Sequence, residues 1–356
     1  MTDSGTSSAP TVSVVIPVHN HADRIANAVR SVLRQEFDNL DVIVVDDGSD
    51  DDPASKLQEF LGEIRILKQR CSGPGAARNR GIDLARGTYI AFLDADDDWL
   101  PSKLSTLVNF LEDHPEIQWA SSNHWVIPRE AERRLRLPVR GDPGAPRVEL
   151  VTDWFSSYGL HVATTTSGLV VRKSVLAETG GFDEHARSGQ DYDLWFRIAI
   201  RYPSLGYCAE PLFNYWEHIP GSITSAGPSI YEDKYLLLGR HVDWEVDRNV
   251  RDTRHQRVIN QSLKFVRRCI SAGRRDLAVN MIARMRHLIP ASKVLFWLIA
   301  AACPPRAAKV LGRLRSWQPR NQLPDSSDSP GSDWPEETFQ PIKHRASKST
   351  GPERDD

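Results

Sequence analysis

The chain has 356 residues, room for one large domain with an appendage, and a nearly balanced net charge of −2. That balance argues against a nucleic-acid partner recruited by bulk electrostatics. Four cysteines (Cys71, Cys208, Cys269 and Cys303) lie far apart without C-x-x-C spacing, which excludes the common zinc and dithiol patterns and points to free thiols in a reducing, cytoplasmic compartment.

Residues 1–11 are small and polar, lack the apolar core of a signal peptide, and are expected to be a flexible N-terminus. Val12 to Val18 is a near-continuous apolar run suited to a strand covered on both faces. Asp23 to Gln35 follows with Ile25, Ala28, Val29, Val32 and Leu33 on one helical face. Asp41 to Val45 and Ile64 to Leu67 are predicted strands, and Ala76 to Ala85 a helix started by the bend at Gly73-Pro-Gly75. Tyr89 to Leu93 is a further buried strand. Such alternation predicts an α/β fold, a mainly parallel sheet with helices on both sides, whose ligands bind beyond the carboxyl ends of the strands. Those ends carry Pro17 to Asn20, Asp46-Asp47-Gly48-Ser49 and the run Asp94 to Asp98.

The last run places four carboxylates within five residues at a strand end. A divalent metal held by hard oxygen ligands and bridging to phosphates answers that charge; the bland reading is an acidic surface turn. From Arg129 to Val148 the pattern loosens into a connecting loop. Order returns at Thr164 to Val171, at Gly180-Gly-Phe-Asp183, and at a helix from Gln190 to Ala199 whose first turn holds Asp191 and Asp193, where the helix dipole favours carboxylates.

In this order and spacing, Val-Ser-Val-Val-Ile-Pro-Val-His-Asn20, Val-Val-Asp-Asp-Gly-Ser49, Gly-Pro-Gly-Ala-Ala-Arg-Asn-Arg-Gly-Ile82, Phe-Leu-Asp-Ala-Asp-Asp97, Gly-Gly-Phe-Asp183 and Gln-Asp-Tyr-Asp-Leu-Trp195 resemble the family 2 inverting glycosyltransferases. The resemblance implies the GT-A fold, a Rossmann-like mixed sheet, over residues 12–230, and a nucleotide-sugar donor. It implies that Pro17, Val18 and His19 line the base, that Asp47 reads it while Asp46 supports the turn, and that Asp94, Ala95 and Asp96 form the D-x-D turn. Asp94 and Asp96 would then ligate Mg²⁺ or Mn²⁺. Arg78 is either a diphosphate contact or a helix-surface cation. Asp191 matches the family's general base, with Asp193 as the competing candidate; Gln190 stands where the family carries Glu, so a neighbouring charge that would raise the base's pKa is missing.

Several residues remain open at this level. His19 and His21 could be a metal pair or could line a pocket, and His218 could reach the diphosphate or be solvated. Trp154, Trp195 and Trp216 could stack on an acceptor sugar or pack in the core, and Ser222 and Thr224 could border the site. Residues 231–315 are helix-biased and Arg-rich. They fit either a helical subdomain in water or peripheral contact with an anionic membrane face, where lipid-linked acceptors are built. Val294 to Cys303, the most apolar late segment, falls well short of the roughly 20 residues that span a bilayer. Residues 316–356 are rich in Pro, Ser, Asp and Glu, and a disordered tail is expected.

Three functions fit: an inverting glycosyltransferase acting on a saccharide or lipid-linked acceptor, a sugar nucleotidyltransferase, and a silent sugar-nucleotide-binding module. The second wants an early Gly- and Lys-rich phosphate loop, which Pro17 to Asn20 does not offer. The third sits poorly with retained Asp47, Asp96 and Asp191.

Overall fold

The structure is a computed structural model, and it describes residues 11–128, 132–137, 147–158, 161–186, 188–217, 229–248 and 253–302. The strands in chain order are β1 (Val12–Val18), β2 (Leu40–Asp46), β3 (Ile64–Lys68), β4 (Tyr89–Phe92), β5 (Asp98–Trp99), β6 (Trp119–Ile127), β7 (Arg134–Leu135), β8 (Val148–Val151), β9 (Val170–Arg172) and β10 (Leu205–Trp216). Between and after them run α1 (Ile25–Leu33), α2 (Pro74–Leu84), α3 (Lys103–Asp113), α4 (Trp154–Ser157), α5 (Lys173–Thr179), α6 (Gln190–Arg201), α7 (Ser229–Arg248), α8 (Thr253–Ser271), α9 (Arg275–Arg284) and α10 (Ala291–Ala302).

One mixed sheet organises the domain, in the order β3-β2-β1-β4-β9-β6-β10-β5. β1 pairs in parallel with β2 and β4, and β2 with β3; β9 enters antiparallel between β4 and β6. The chain leaves β1 toward β2 and later returns on its other side at β4. The crevice between the carboxyl ends of β1 and β4 is therefore the switch point at which such sheets bind ligands.

Cover on both faces explains why these strands are almost wholly apolar. Val14, Ile16, Val42, Val44 and Ala91 pack on one face with Ile25, Val29 and Val32 of α1 and Leu104 and Leu107 of α3. Val15, Ile43, Val45, Ile90 and Phe92 pack on the other with Ala77 of α2 and Leu194 and Ile198 of α6. Both faces are covered, so the runs are nearly continuous; the buried exceptions inside them, Ser13 of β1 and Asp41 of β2, satisfy each other, Ser13 Oγ donating to Asp41 Oδ2 at 2.8 Å.

The structure departs from the sequence expectation in one loop. The connecting loop expected from Arg129 to Val148 contains β7, which pairs with β6, and Val148 already belongs to β8. Two-residue pairing is too short to leave a periodic signal. β10 runs from Leu205 to Trp216, and its register shifts on either side of Pro211 where it runs along β6. Residues 1–10, most of the 129–146 stretch and 303–356, including the expected tail, lie outside the described residues.

Candidate active site

The rim of the crevice is built from short turns that the strand ends force. At the end of β1, Pro17 is half-buried, the Val18 side chain lies in the core, and His19 is exposed. Val18 therefore offers the rim only its backbone, and its carbonyl accepts from Asp47 N at 2.8 Å. His19 donates from Nδ1 to the Asp47 carbonyl at 2.9 Å, which ties the β1 end to the β2 end.

Asp46 accepts from Ser49 N at 2.8 Å and so supports the turn. The Asp47 carboxylate is buried: Oδ1 accepts from Gln69 Nε2 and Ser72 N, and Oδ2 from Gly73 N, each at 2.8 Å. These bonds hold the loop that opens α2. Gly73 has φ +96°, a conformation that L side chains rarely adopt, and Pro74 follows as the first helical residue, so Gly73-Pro74 starts the helix sharply.

One turn into α2, Arg78 is buried rather than on the helix surface. Its Nη2 donates to Asp94 Oδ1 at 2.6 Å, and its guanidinium lies 5.2 Å from the Phe182 ring centroid. Asn79, the next residue, clamps the Gly180-Gly-Phe-Asp183 segment by donating to Phe182 O and accepting from Phe182 N, both at 2.9 Å. Gly75 allows that approach, since a Cβ there would stand 2.5 Å from Asp183 O.

The acidic turn itself closes with Asp97 N donating to Asp94 O at 3.0 Å. Its four carboxylates divide into two pairs with different surroundings. Asp94 and Asp96 are half-buried, with the Ala95 side chain tucked inside. Burial and the charge of Asp94 raise the Asp96 pKa, against the pull of His21 and Arg24.

Asp97 and Asp98 instead fasten the turn. Asp97 accepts from Ser167 Oγ at 2.6 Å and Trp216 N at 3.2 Å; Asp98 accepts from Asn214 Nδ2 at 2.7 Å and Trp216 Nε1 at 2.8 Å. Ser167 Oγ also accepts from Asp94 N at 3.2 Å, so one hydroxyl braces both ends of the turn. Arg24, whose guanidinium lies 5.3 Å from the Trp216 ring centroid, joins Asp96, Asp97, Asp98 and Trp216 around a cleft of about 300 Å³. Arg24 and Ser167 carried no motif that sequence reasoning could have used.

Asp191 stands half-buried at the first turn of α6. Its Oδ1 accepts from Tyr192 N at 2.8 Å. Burial raises its pKa, while that bond and the charges of Arg78 and Lys234 pull it back and Asp94 pushes it up further. Arg78 thus pairs with Asp94 and acts on Asp191 at once, which brings the two together. Gln190, beside it, is buried and adds no charge.

Asp193, the competing candidate, is engaged by partners within the protein. Its Oδ2 accepts from Arg197 Nε and Nη2 at 2.9 and 2.7 Å, and its Oδ1 accepts from His241 Nε2 at 3.1 Å. Burial alone would raise its pKa, but the His241 bond and the Arg197 charge overcome that and hold it well below the usual carboxylate range. Trp154 and Trp195 are core residues, with Trp154 Nε1 bonded to Thr164 Oγ1 at 2.9 Å, so neither presents a face to a sugar. His218, Ser222 and Thr224 lie outside the described residues.

Asp94 and Asp96 suit a hard divalent cation in donor type and in their mutual repulsion, which Arg78 and Arg24 only partly offset. No cluster of three His, Cys, Asp or Glu side chains around one point occurs among the described residues, so phosphate oxygens and water would complete the coordination, as Mg²⁺ tolerates.

Residues 13–176 match the profile of glycosyl transferase family 2. The chain is 34% identical over 218 residues to the amylovoran biosynthesis glycosyltransferase AmsB of Erwinia amylovora, an alignment covering 57% of this chain and 68% of that one. It is 35% identical over 117 residues to the UDP-Glc:alpha-D-GlcNAc-diphosphoundecaprenol beta-1,3-glucosyltransferase WfaP of Escherichia coli, covering 32% and 46%. In fold it resembles S. aureus TarS 1-349 in complex with UDP-GlcNAc, with a TM-score of 0.61 over 82% of this chain and 84% of that one at 16% identity.

Proposed function

Because this chain belongs to the family 2 glycosyltransferases, we propose that it moves a sugar from a UDP-linked donor to a hydroxyl of a saccharide or lipid-linked acceptor, with inversion at the anomeric carbon. The observation that carries this reading is the Arg78–Asp94 ion pair, whose guanidinium also acts on Asp191. It joins a basic carboxylate to an acidic phosphate-side turn across one crevice.

In this reading the nucleoside lies along the ends of β1 and β2, between Pro17, the Val18 backbone and His19, with Asp47 accepting the imide N–H. Asp47 Oδ2 takes one protein donor, Gly73 N, and so keeps acceptor capacity. Asp94 and Asp96 would hold Mg²⁺ or Mn²⁺, which would supply positive charge to offset the charge that builds on the leaving diphosphate. Arg78 orients Asp94 for that task.

Asp191 accepts the proton of the acceptor hydroxyl as its oxygen bonds to the anomeric carbon. The bond from that carbon to the diphosphate breaks on the opposite face, and the electron pair leaves with UDP. Oδ1 is held by Tyr192 N, which leaves Oδ2 for the proton, and the raised pKa makes the group a stronger base than an exposed aspartate. The choice of UDP is supported by the donors in the names of WfaP and of the TarS complex.

The test is Asp191→Asn, assayed with a panel of UDP-sugars and Mn²⁺. Asn keeps the bond from Tyr192 N but takes no proton, so UDP binding stays near wild type while turnover falls by about 10²- to 10⁴-fold. Near-normal turnover in this variant overturns the assignment of the base.

A further inference from the structure

The C-terminal helices carry charge and apolar surface that the transfer reaction does not use. Residues 253–302 hold ten Lys or Arg against one acid, Asp276. On α8, Lys264, Arg267 and Arg268 are spaced i, i+3 and i+4, which puts them on one side of the helix, and all three are exposed. Arg257 and Arg136 add to the same cluster: burial, then the charges of Arg257, Arg268, Arg136 and Arg267, pull the Lys264 ammonium below its ordinary pKa. Crowded like charges of this kind are unfavourable unless an anion meets them.

Beside the cluster lies α10. Val294, Trp297, Ala300 and Ala301 pack inward on the core. Leu295, Leu298 and Ile299 repeat at i, i+3 and i+4 along the outer face with Phe296 next to them, between 37% and 60% exposed. The Arg267 guanidinium lies 5.5 Å from the Trp297 ring centroid, which sets Arg267 of α8 against α10. None of the described helices is long and apolar enough to cross a membrane.

We propose that this side of the molecule docks on an anionic lipid bilayer, with the Leu295–Phe296–Leu298–Ile299 stripe at the headgroup–acyl boundary and Lys264, Arg267 and Arg268 on lipid phosphates. The pairing of an apolar stripe with adjacent surplus cations is what selects this occupant. A second copy related by a twofold axis would bring the same cations face to face, and an apolar protein partner would leave them unanswered. The inference stands independently of whether Asp191 is the base.

The test is co-sedimentation of the full chain with phosphatidylcholine vesicles, with and without phosphatidylglycerol. Binding is expected to phosphatidylglycerol-containing vesicles and to weaken with added salt. Changing Lys264, Arg267 and Arg268 together to Gln weakens binding by roughly a hundredfold, at about 1 kcal/mol per cation at the surface. Leu295→Glu with Ile299→Glu weakens it by at least about tenfold, since the stripe must then enter the boundary with charge. Both sets are exposed, and thermal melting checks that the fold is kept. Three results overturn the proposal: no vesicle binding by the full chain, including binding seen only after removal of residues 318–356; undiminished binding of the Glu variant; or a dimer in solution that the same Glu changes dissociate.

Discussion

Replacing Arg78 with Met tests the centre of the site through both stability and chemistry. Its Nη2 pairs with Asp94 Oδ1 at 2.6 Å, and the two side chains are 7% and 31% exposed. Breaking a fully buried pair costs about 3–5 kcal/mol, but Asp94 can rehydrate through its open side, which lowers the figure to about 2 kcal/mol. Loss of the cation over Phe182 adds about 0.5–1 kcal/mol, while Met keeps the aliphatic packing. Urea unfolding should therefore show a loss of about 2–3 kcal/mol.

The same change acts on Asp191. Its pKa is raised by burial and drawn back by Arg78 and Lys234, with Asp94 opposing them. Without the guanidinium the carboxyl holds its proton to higher pH, so the acid limb of kcat/KM moves upward. Arg78→Lys restores the charge but not the forked geometry, and should return the limb while recovering only part of the stability. Unchanged stability to within about 0.5 kcal/mol, or an acid limb that stays put in Arg78→Met, refutes the reasoning.

Other perturbations separate scaffold from chemistry. Arg197→Met leaves Asp193 buried beside His241 alone and should cost about 3–5 kcal/mol by urea unfolding. The Asp193 pKa is depressed in the fold, so its contribution is present above the ordinary carboxylate range and lost as pH falls through and below it; Arg197→Met should flatten the acid side of a stability–pH curve. Ser167→Ala removes the hydroxyl that donates to Asp97 and accepts from Asp94 N; a loss of about 1–3 kcal/mol is expected in melting, and weaker Mn²⁺ binding by electron paramagnetic resonance. Burial lowers the Lys103 ammonium to a pKa of about 7 from 10.5, so the unfolded chain binds the extra proton between those values. Stability should rise across that window as pH increases, and Lys103→Met should abolish the rise in unfolding measured from neutral to alkaline pH.

The near-continuous apolar runs of β1, β2 and β4 determined by themselves that a mainly parallel sheet covered on both faces would form, because strands buried on both sides carry few polar residues. They also located the acidic clusters at its carboxyl rim, since strand ends follow directly from where the runs stop. Motif order identified the family, and the first turn of α6 identified two candidate bases.

The different surroundings of Asp191 and Asp193 were set by the fold. Arg197 is four residues from Asp193 and visible in sequence, but His241 is 48 residues away, and together they occupy both carboxylate oxygens. Arg78 could be surface or site until α2 packed it against Asp94 and Phe182. Ser167, 70 residues from Asp97, has no periodicity or charge to announce it. Hydrophobic pattern and charge are properties of a segment, and a chain states them locally. Which carboxylate is neutralised, which arginine is buried and which hydroxyl braces a turn are properties of pairs, and only the packing of distant elements creates the pair.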